Sequence, residues 1–133
     1  VLSRNNRCPI IVLRPNAGVT LIDDPIEPIG VHRGTKPSIT EMPLEAGTLV
    51  IVYTDGLERA GSWSSPVFDI PAAAEELVRQ DETTAQHIAD ALLDKALALE
   101  DGRPRDDISV LVLRITDRRV ENDVRHLLLR VPL

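Results

Sequence analysis

The chain has 133 residues, enough to bury a core as one domain or part of one, and it carries a formal net charge of −6. That acidity argues against a nucleic-acid binder, which would normally present a basic face. Hydrophobic residues make up 43% and aromatic residues only 2%, so the core must be aliphatic, built from Leu, Ile, Val and Ala.

No apolar run approaches the ~18 residues of a membrane span, and the N-terminus carries no secretory h-region. A cytoplasmic soluble domain without a membrane partner is therefore expected. The chain begins with Val, as a processed chain or a piece of a longer one would. The single cysteine, Cys8, has no internal disulfide partner, which fits a reducing compartment. It is expected to be a small buried apolar residue, because no motif places His32, His87 or His126 to activate it.

In chain order, Ser3-Arg4-Asn5-Asn6-Arg7 reads as a polar knot, followed by Pro9 and the apolar run Ile10 to Leu13. Pro15-Asn16-Ala17-Gly18 has strong turn chemistry, so Ile10 to Leu13 and Val19 to Ile22 are expected to form a β-hairpin. Asp23 to Gly30 contains two prolines and a glycine and reads as an irregular connection whose acids, Asp23, Asp24 and Glu27, stay unassigned. Gly30 to Lys36 resembles a phosphate loop but fails its spacing, with three residues between the glycines and Thr35 ahead of Lys36. Ser38 to Leu44 suggests an edge strand closed by Pro43.

Leu49 to Tyr53, five apolar residues after the Gly47 turn, is too short for a typical helix and reads as a buried strand. Leu57 to Ala60 suggests a helical turn; Trp63 and Phe68 are expected to pack the following loop down. Asp69 should cap a helix with Pro71 in its first turn and Leu77 and Val78 on its buried side. Thr83 and Gln86 have capping-box spacing for a second helix. On it Ile88, Leu92 and Ala96, with Ala89, Leu93 and Leu97, form one apolar stripe, and Gly102 and Pro104 end it. Ile108 to Ile115 is a second central strand, and Arg125 to Leu133 reads as a last one. Arg114, Arg118 and Arg119 form a local basic cluster, taken as a solvated strand end.

Both central strands carry acids at one end. Asp55-Gly56 follows the first, and Gly56 would let the backbone approach whatever the carboxylate holds. Asp106-Asp107 precedes the second. Either acid alone is more often a turn cap, but the two together, on neighbouring strands, would converge at one sheet edge. Carboxylates are hard oxygen ligands suited to Mg²⁺ or Mn²⁺, and a two-metal centre of this kind needs neither His nor Cys.

Leu-Val-Ile-Val-Tyr-Thr-Asp-Gly over residues 49–56, followed by Asp-Asp-Ile-Ser-Val-Leu-Val-Leu over 106–113, resembles the rear part of a metal-dependent protein phosphatase of the 2C type. More narrowly it resembles the stage II sporulation protein E branch, which regulates sigma factors. Asn5 to Pro9 ahead of the hairpin and Pro28-Ile29-Gly30 agree with that branch, so the resemblance runs from Val1 to about Ile115. It implies an α+β fold, a phosphatase 2C-like β-sandwich with flanking helices and a metal centre at one edge. The front of that fold is absent, leaving residues 1–133 as the C-terminal portion of a single domain.

By the resemblance, Asp55 and Asp106 are metal ligands, with Gly56 contributing its backbone, and Asp107 lies behind them or faces solvent. The implied cofactor is Mn²⁺ or Mg²⁺, and the implied reaction is hydrolysis of protein phosphoserine or phosphothreonine by metal-activated water. The implied partner is a phosphoprotein substrate, typically a small anti-anti-sigma-factor-like protein. Two departures stand out. Nothing before Asp55 matches the family's early Asp motif, so weak or absent activity is expected of this chain by itself. Arg59 also stands where the family often has Glu.

A haloacid-dehalogenase-type phosphatase would need a second acid two positions after Asp55, where Leu57 stands. The alternative from another class is a non-catalytic, phosphatase-like module that binds a partner protein.

Overall fold

The computed structural model describes residues 1–61, 67–80 and 84–117. Trp63, Thr83, Arg118, Arg119 and the strand expected at 125–133 lie outside the described residues. The elements run β1 (Leu2–Arg4), β2 (Ile10–Arg14), β3 (Gly18–Ile22), β4 (Ser38–Thr40), β5 (Leu49–Tyr53), α1 (Asp55–Arg59), α2 (Ile70–Val78), α3 (Ala85–Leu99) and β6 (Val110–Arg114). A four-stranded sheet has the order β3-β2-β5-β6, every pair antiparallel, and β1 pairs with β4 in a separate two-stranded sheet.

The expected hairpin is β2-β3, registered from Ile10 opposite Ile22 to Arg14 opposite Gly18. Gly18 takes a left-handed φ of 66° at the turn, a conformation that costs glycine little. β5 lies between β2 and β6, with Ile11 opposite Ile51 and Tyr53 opposite Val110.

Strand residues alternate faces. Ile11, Leu13, Leu49, Ile51 and Tyr53 meet the helices, packing with Phe68, Ile70, Ala74, Ile88, Leu92 and Ala96. Ile10, Val12, Ile22 and Val50 form a smaller cluster on the other face, against which Leu2 of β1 and Met42 pack. An interior strand with apolar neighbours on both faces must be apolar at every position, hence the unbroken run in β5. On α3, Ile88, Leu92 and Ala96 follow one another at intervals of four and are fully buried, which lays the helix on the sheet.

Several boundaries differ from the sequence-based expectations for physical reasons. Leu2–Arg4 is a strand rather than part of a polar knot, and Arg4 is buried. Its guanidinium donates to the carbonyl oxygens of Asn6 (2.9 Å), Arg7 (3.4 Å) and Asp24, so backbone acceptors make the burial tolerable. Val78 is exposed, because the buried side of α2 is set by Ile70, Ala73 and Ala74, with Leu77 a turn further on. The cap of α3 is Thr84, whose hydroxyl oxygen accepts from the His87 amide at 3.1 Å. Gln86 donates through Nε2 to Asp90 at 2.7 Å. Asp69 caps α2 as expected, accepting from the Ala72 amide at 3.0 Å. After α3, Asp101 and Gly102 turn left-handed and the Gly102 amide donates back to Leu97 at 2.8 Å, closing the helix.

Cys8 is buried, and burial pushes its thiol above the ordinary value, with the Glu58 and Asp55 carboxylates adding to the rise. Burial raises the Tyr53 phenol in the same direction. Both groups hold their protons longer in the folded chain than in the unfolded one. Their contribution to stability is therefore complete below the ordinary Cys value of 9.0 and falls as pH rises beyond it. Urea midpoints should drop above about pH 9. At pH 8 the thiol should resist a disulfide exchange reagent until the protein is denatured; rapid reaction of the native protein would contradict this burial.

Candidate metal centre

β5 ends at Tyr53 and its antiparallel neighbour β6 begins at Val110, directly opposite. The residues that leave β5 and those that enter β6 thus share one end of the sheet. Thr54 fastens them together. Its amide donates to the Ser109 carbonyl at 3.1 Å. Its hydroxyl donates to the Asp107 carbonyl at 2.8 Å and accepts from the Ser109 amide at 2.9 Å. Thr54 is also the N-cap of α1, yet its side chain makes no capping bond there, because it is committed to the neighbouring segment.

Gly56 completes the junction. A Cβ at this position would run into the Asp107 carbonyl group and come within 3.3 Å of Ile108 Cγ1. Only a residue without a side chain lets the first turn of α1 lie directly on the backbone ahead of β6. This contact brings Asp55 and Asp106 to the same place.

Their meeting point is marked by Arg59. Its Nη2 lies 2.9 Å from Asp55 Oδ2, an i,i+4 pair along α1, and its Nη1 lies 3.5 Å from Asp106 Oδ2. The other Asp106 oxygen, Oδ1, accepts from the Asp107 amide at 2.9 Å, which fixes that carboxylate's orientation. The side chains remain half exposed, at 50% for Asp55 and 49% for Asp106. Beside them a cleft of about 190 Å³ is lined by Gly56, Arg59, Glu100, Arg105, Asp106 and Ile108. Glu100 on its wall is occupied: it accepts from the Gly61 amide at 2.8 Å and lies 3.8 Å from Arg105.

A divalent cation of the Mg²⁺ or Mn²⁺ type suits this donor set, because such ions take one or two carboxylates and keep several waters. Two carboxylates already converge on one cationic group, and their exposure leaves room for water. Among the described residues no group of three or more His, Cys, Asp and Glu side chains is placed to hold a metal. The residues present fit as a pair of ligands.

The sequence-derived site residues Asp55, Gly56 and Asp106 all lie at this junction. Asp24 does not: it accepts from the Ser38 hydroxyl at 3.2 Å, and its carbonyl is engaged by Arg4. Asp107 contributes through its backbone carbonyl and its amide rather than its carboxylate. Sequence reasoning passed over the role of Thr54, for which the Thr-Asp-Gly string gave no separate signal. The Asp55–Arg59 pair was legible from its i,i+4 spacing; the Arg59–Asp106 contact spans 47 residues and was not.

The stage II sporulation protein E family model matches residues 2–116. The chain belongs to this family. No curated protein matches it in sequence. Among solved structures it is similar to the phosphatase domain, with a fragment of the regulatory domain, of the cell fate determinant SpoIIE from Bacillus subtilis. The identity is 23% and the TM-score 0.71, covering 89% of this chain and 34% of that one. A second structure of that phosphatase domain gives 20% identity and a TM-score of 0.61, over 90% of this chain and 52% of that one. A manganese-presoaked form gives 19%, 0.65, 88% and 50%. At these identities the likeness shows the fold, an α+β arrangement of the phosphatase 2C kind. This chain spans between about a third and half of the length of those relatives.

Two substitutions test the junction by urea denaturation. Gly56→Ala forces a methyl group against backbone and should cost about 1–3 kcal/mol. Thr54→Val removes the hydroxyl that serves both Asp107 and Ser109 and should cost about 1–2 kcal/mol. Thr54→Ser should retain most of that stability, and a Thr54→Val protein as stable as the unsubstituted one would show the bonds to be idle.

Proposed function

We propose that this chain carries the rear half of a metal-dependent protein serine/threonine phosphatase site, with Asp55 and Asp106 as carboxylate ligands and the Gly56 backbone as a further contact. The observation that supports it most is the single guanidinium shared by both acids, whose Oδ2 atoms both turn to one cationic group. Family membership supplies the phosphatase class, and the manganese-presoaked relative points to Mn²⁺ as a suitable ion.

Bound there, a divalent ion supplies Lewis-acid activation of water and charge neutralisation at phosphate. The chain's own residues hold the geometry. Thr54 and Gly56 keep the two strand ends in register, and the Asp107 amide aims the Asp106 carboxylate. The substrate class is a protein phosphoserine or phosphothreonine. The resemblance implies that this protein is typically a small anti-anti-sigma-factor-like regulator, and we propose bacterial sigma-factor signalling as the setting of the reaction.

A second reading, a non-catalytic phosphatase-like module that binds a protein partner, is favoured by one observation: the described residues bring two acids together, not three. Calorimetric titration with Mn²⁺ separates the two. The phosphatase reading expects a heat of binding that Asp55→Asn or Asp106→Asn abolishes, together with metal-dependent release of phosphate from a phosphoserine protein. A flat titration of the unsubstituted protein would leave the binding-module reading.

A further inference from the structure

α1 is short enough that its last residue turns back over its first. An ordinary surface i,i+4 pair would use only Asp55, but Arg59 engages both acids through separate nitrogens, Nη2 with Asp55 and Nη1 with Asp106. Both bonds end on Oδ2 atoms, and Asp106 Oδ1 is already taken by the Asp107 amide. The guanidinium thus holds one oxygen of each carboxylate, and on Asp106 it holds the one that the backbone leaves open.

We propose that Arg59 is a built-in competing cation: it neutralises the Asp55–Asp106 pair and must leave before a divalent ion can bind there. The inference rests on the metal-site reading above. A hard divalent ion sits about 2.0–2.6 Å from carboxylate oxygens, inside the volume that the Arg59 guanidinium fills. Even if lone pairs remained for both, a +2 ion and a +1 guanidinium at such separations repel. The Arg59 side chain is 66% exposed, so it is free to swing into solvent once displaced.

Loading is thus an exchange of one cation for another, and Arg59 sets the metal concentration at which the site fills. The arrangement also accounts for two carboxylates sharing one place. Their mutual repulsion is offset by a positive group on α1, four residues after Asp55.

The test is Mn²⁺ binding, read by calorimetry and by loss of the free aqueous Mn²⁺ resonance, on the unsubstituted protein and four variants. Arg59→Gln should bind Mn²⁺ about 1.5- to 5-fold more tightly, the range that exposed ion pairs of this kind supply. Arg59→Lys, which keeps the charge but cannot reach both acids through separate nitrogens, should fall between. Arg79→Gln, which removes an equal charge from the Glu75 pair on α2, should leave affinity unchanged. Asp55→Asn should abolish binding.

Equal affinity in the unsubstituted protein and Arg59→Gln, with Asp55→Asn silent, would overturn the competition while leaving the metal site standing. Weaker binding by Arg59→Gln would also overturn it, since Arg59 would then be helping to position the acids. An absence of Mn²⁺ binding in every form, Arg59→Gln included, would overturn both readings. Melting curves confirm that each variant is folded, and Arg59→Lys carries the comparison should Arg59→Gln unfold.

Discussion

The Thr54 hydroxyl holds together the junction at which Asp55 and Asp106 meet. One oxygen donates to the Asp107 carbonyl and accepts from the Ser109 amide, continuing the β5-β6 ladder beyond its last regular pair. Strand ends ordinarily fray, because the next residues have no partner across the sheet. Here the side chain supplies the partner, and the backbone on both sides is fixed where it would otherwise diverge. Gly56 then lets α1 settle directly onto that fixed backbone. Asp55 and Asp106, one residue on either side of these contacts, meet as a consequence.

That junction is only as rigid as the strands feeding it. β5 lies between β2 and β6, and Ile51 and Leu49 pack on the helical side while Val50 packs on the other. α3 presses Ile88, Leu92 and Ala96 onto the same sheet. Because the core holds few aromatic side chains, it is filled by many branched aliphatic ones, whose restricted rotamers suit a sheet surface. Rigidity at the sheet's centre is what allows exposed acids at its end to keep a defined separation.

The electrostatics of the site oppose its packing. Packing brings carboxylates together, and their like charge would push them apart. Arg59 relieves the conflict by contacting both acids, and those partners remain about half exposed, so the relief is modest. A strongly buried ion pair would have been hard to undo. A half-exposed one can give way to a better cation. The neighbouring Glu100 shows the contrast: its side chain is only 10% exposed and is tied to the Gly61 amide.

The sequence by itself determined the hairpin, the central strand, the two longer helices and the pairing of acids with strand ends. These follow from local rules: turn residues, unbroken apolar runs, a stripe at helical period and caps. It also carried the family resemblance, because Thr-Asp-Gly and Asp-Asp-x-Ser are contiguous strings. Where local signals competed, as with Arg4, Val78 and the start of α3, packing and backbone hydrogen bonds chose the outcome. Only the tertiary structure decided that β5 and β6 are neighbours, that Thr54 spans them, and that Arg59 answers two acids rather than one. Those facts join residues about fifty positions apart, and nothing in the spacing of a chain reports which distant segments its core will bring side by side.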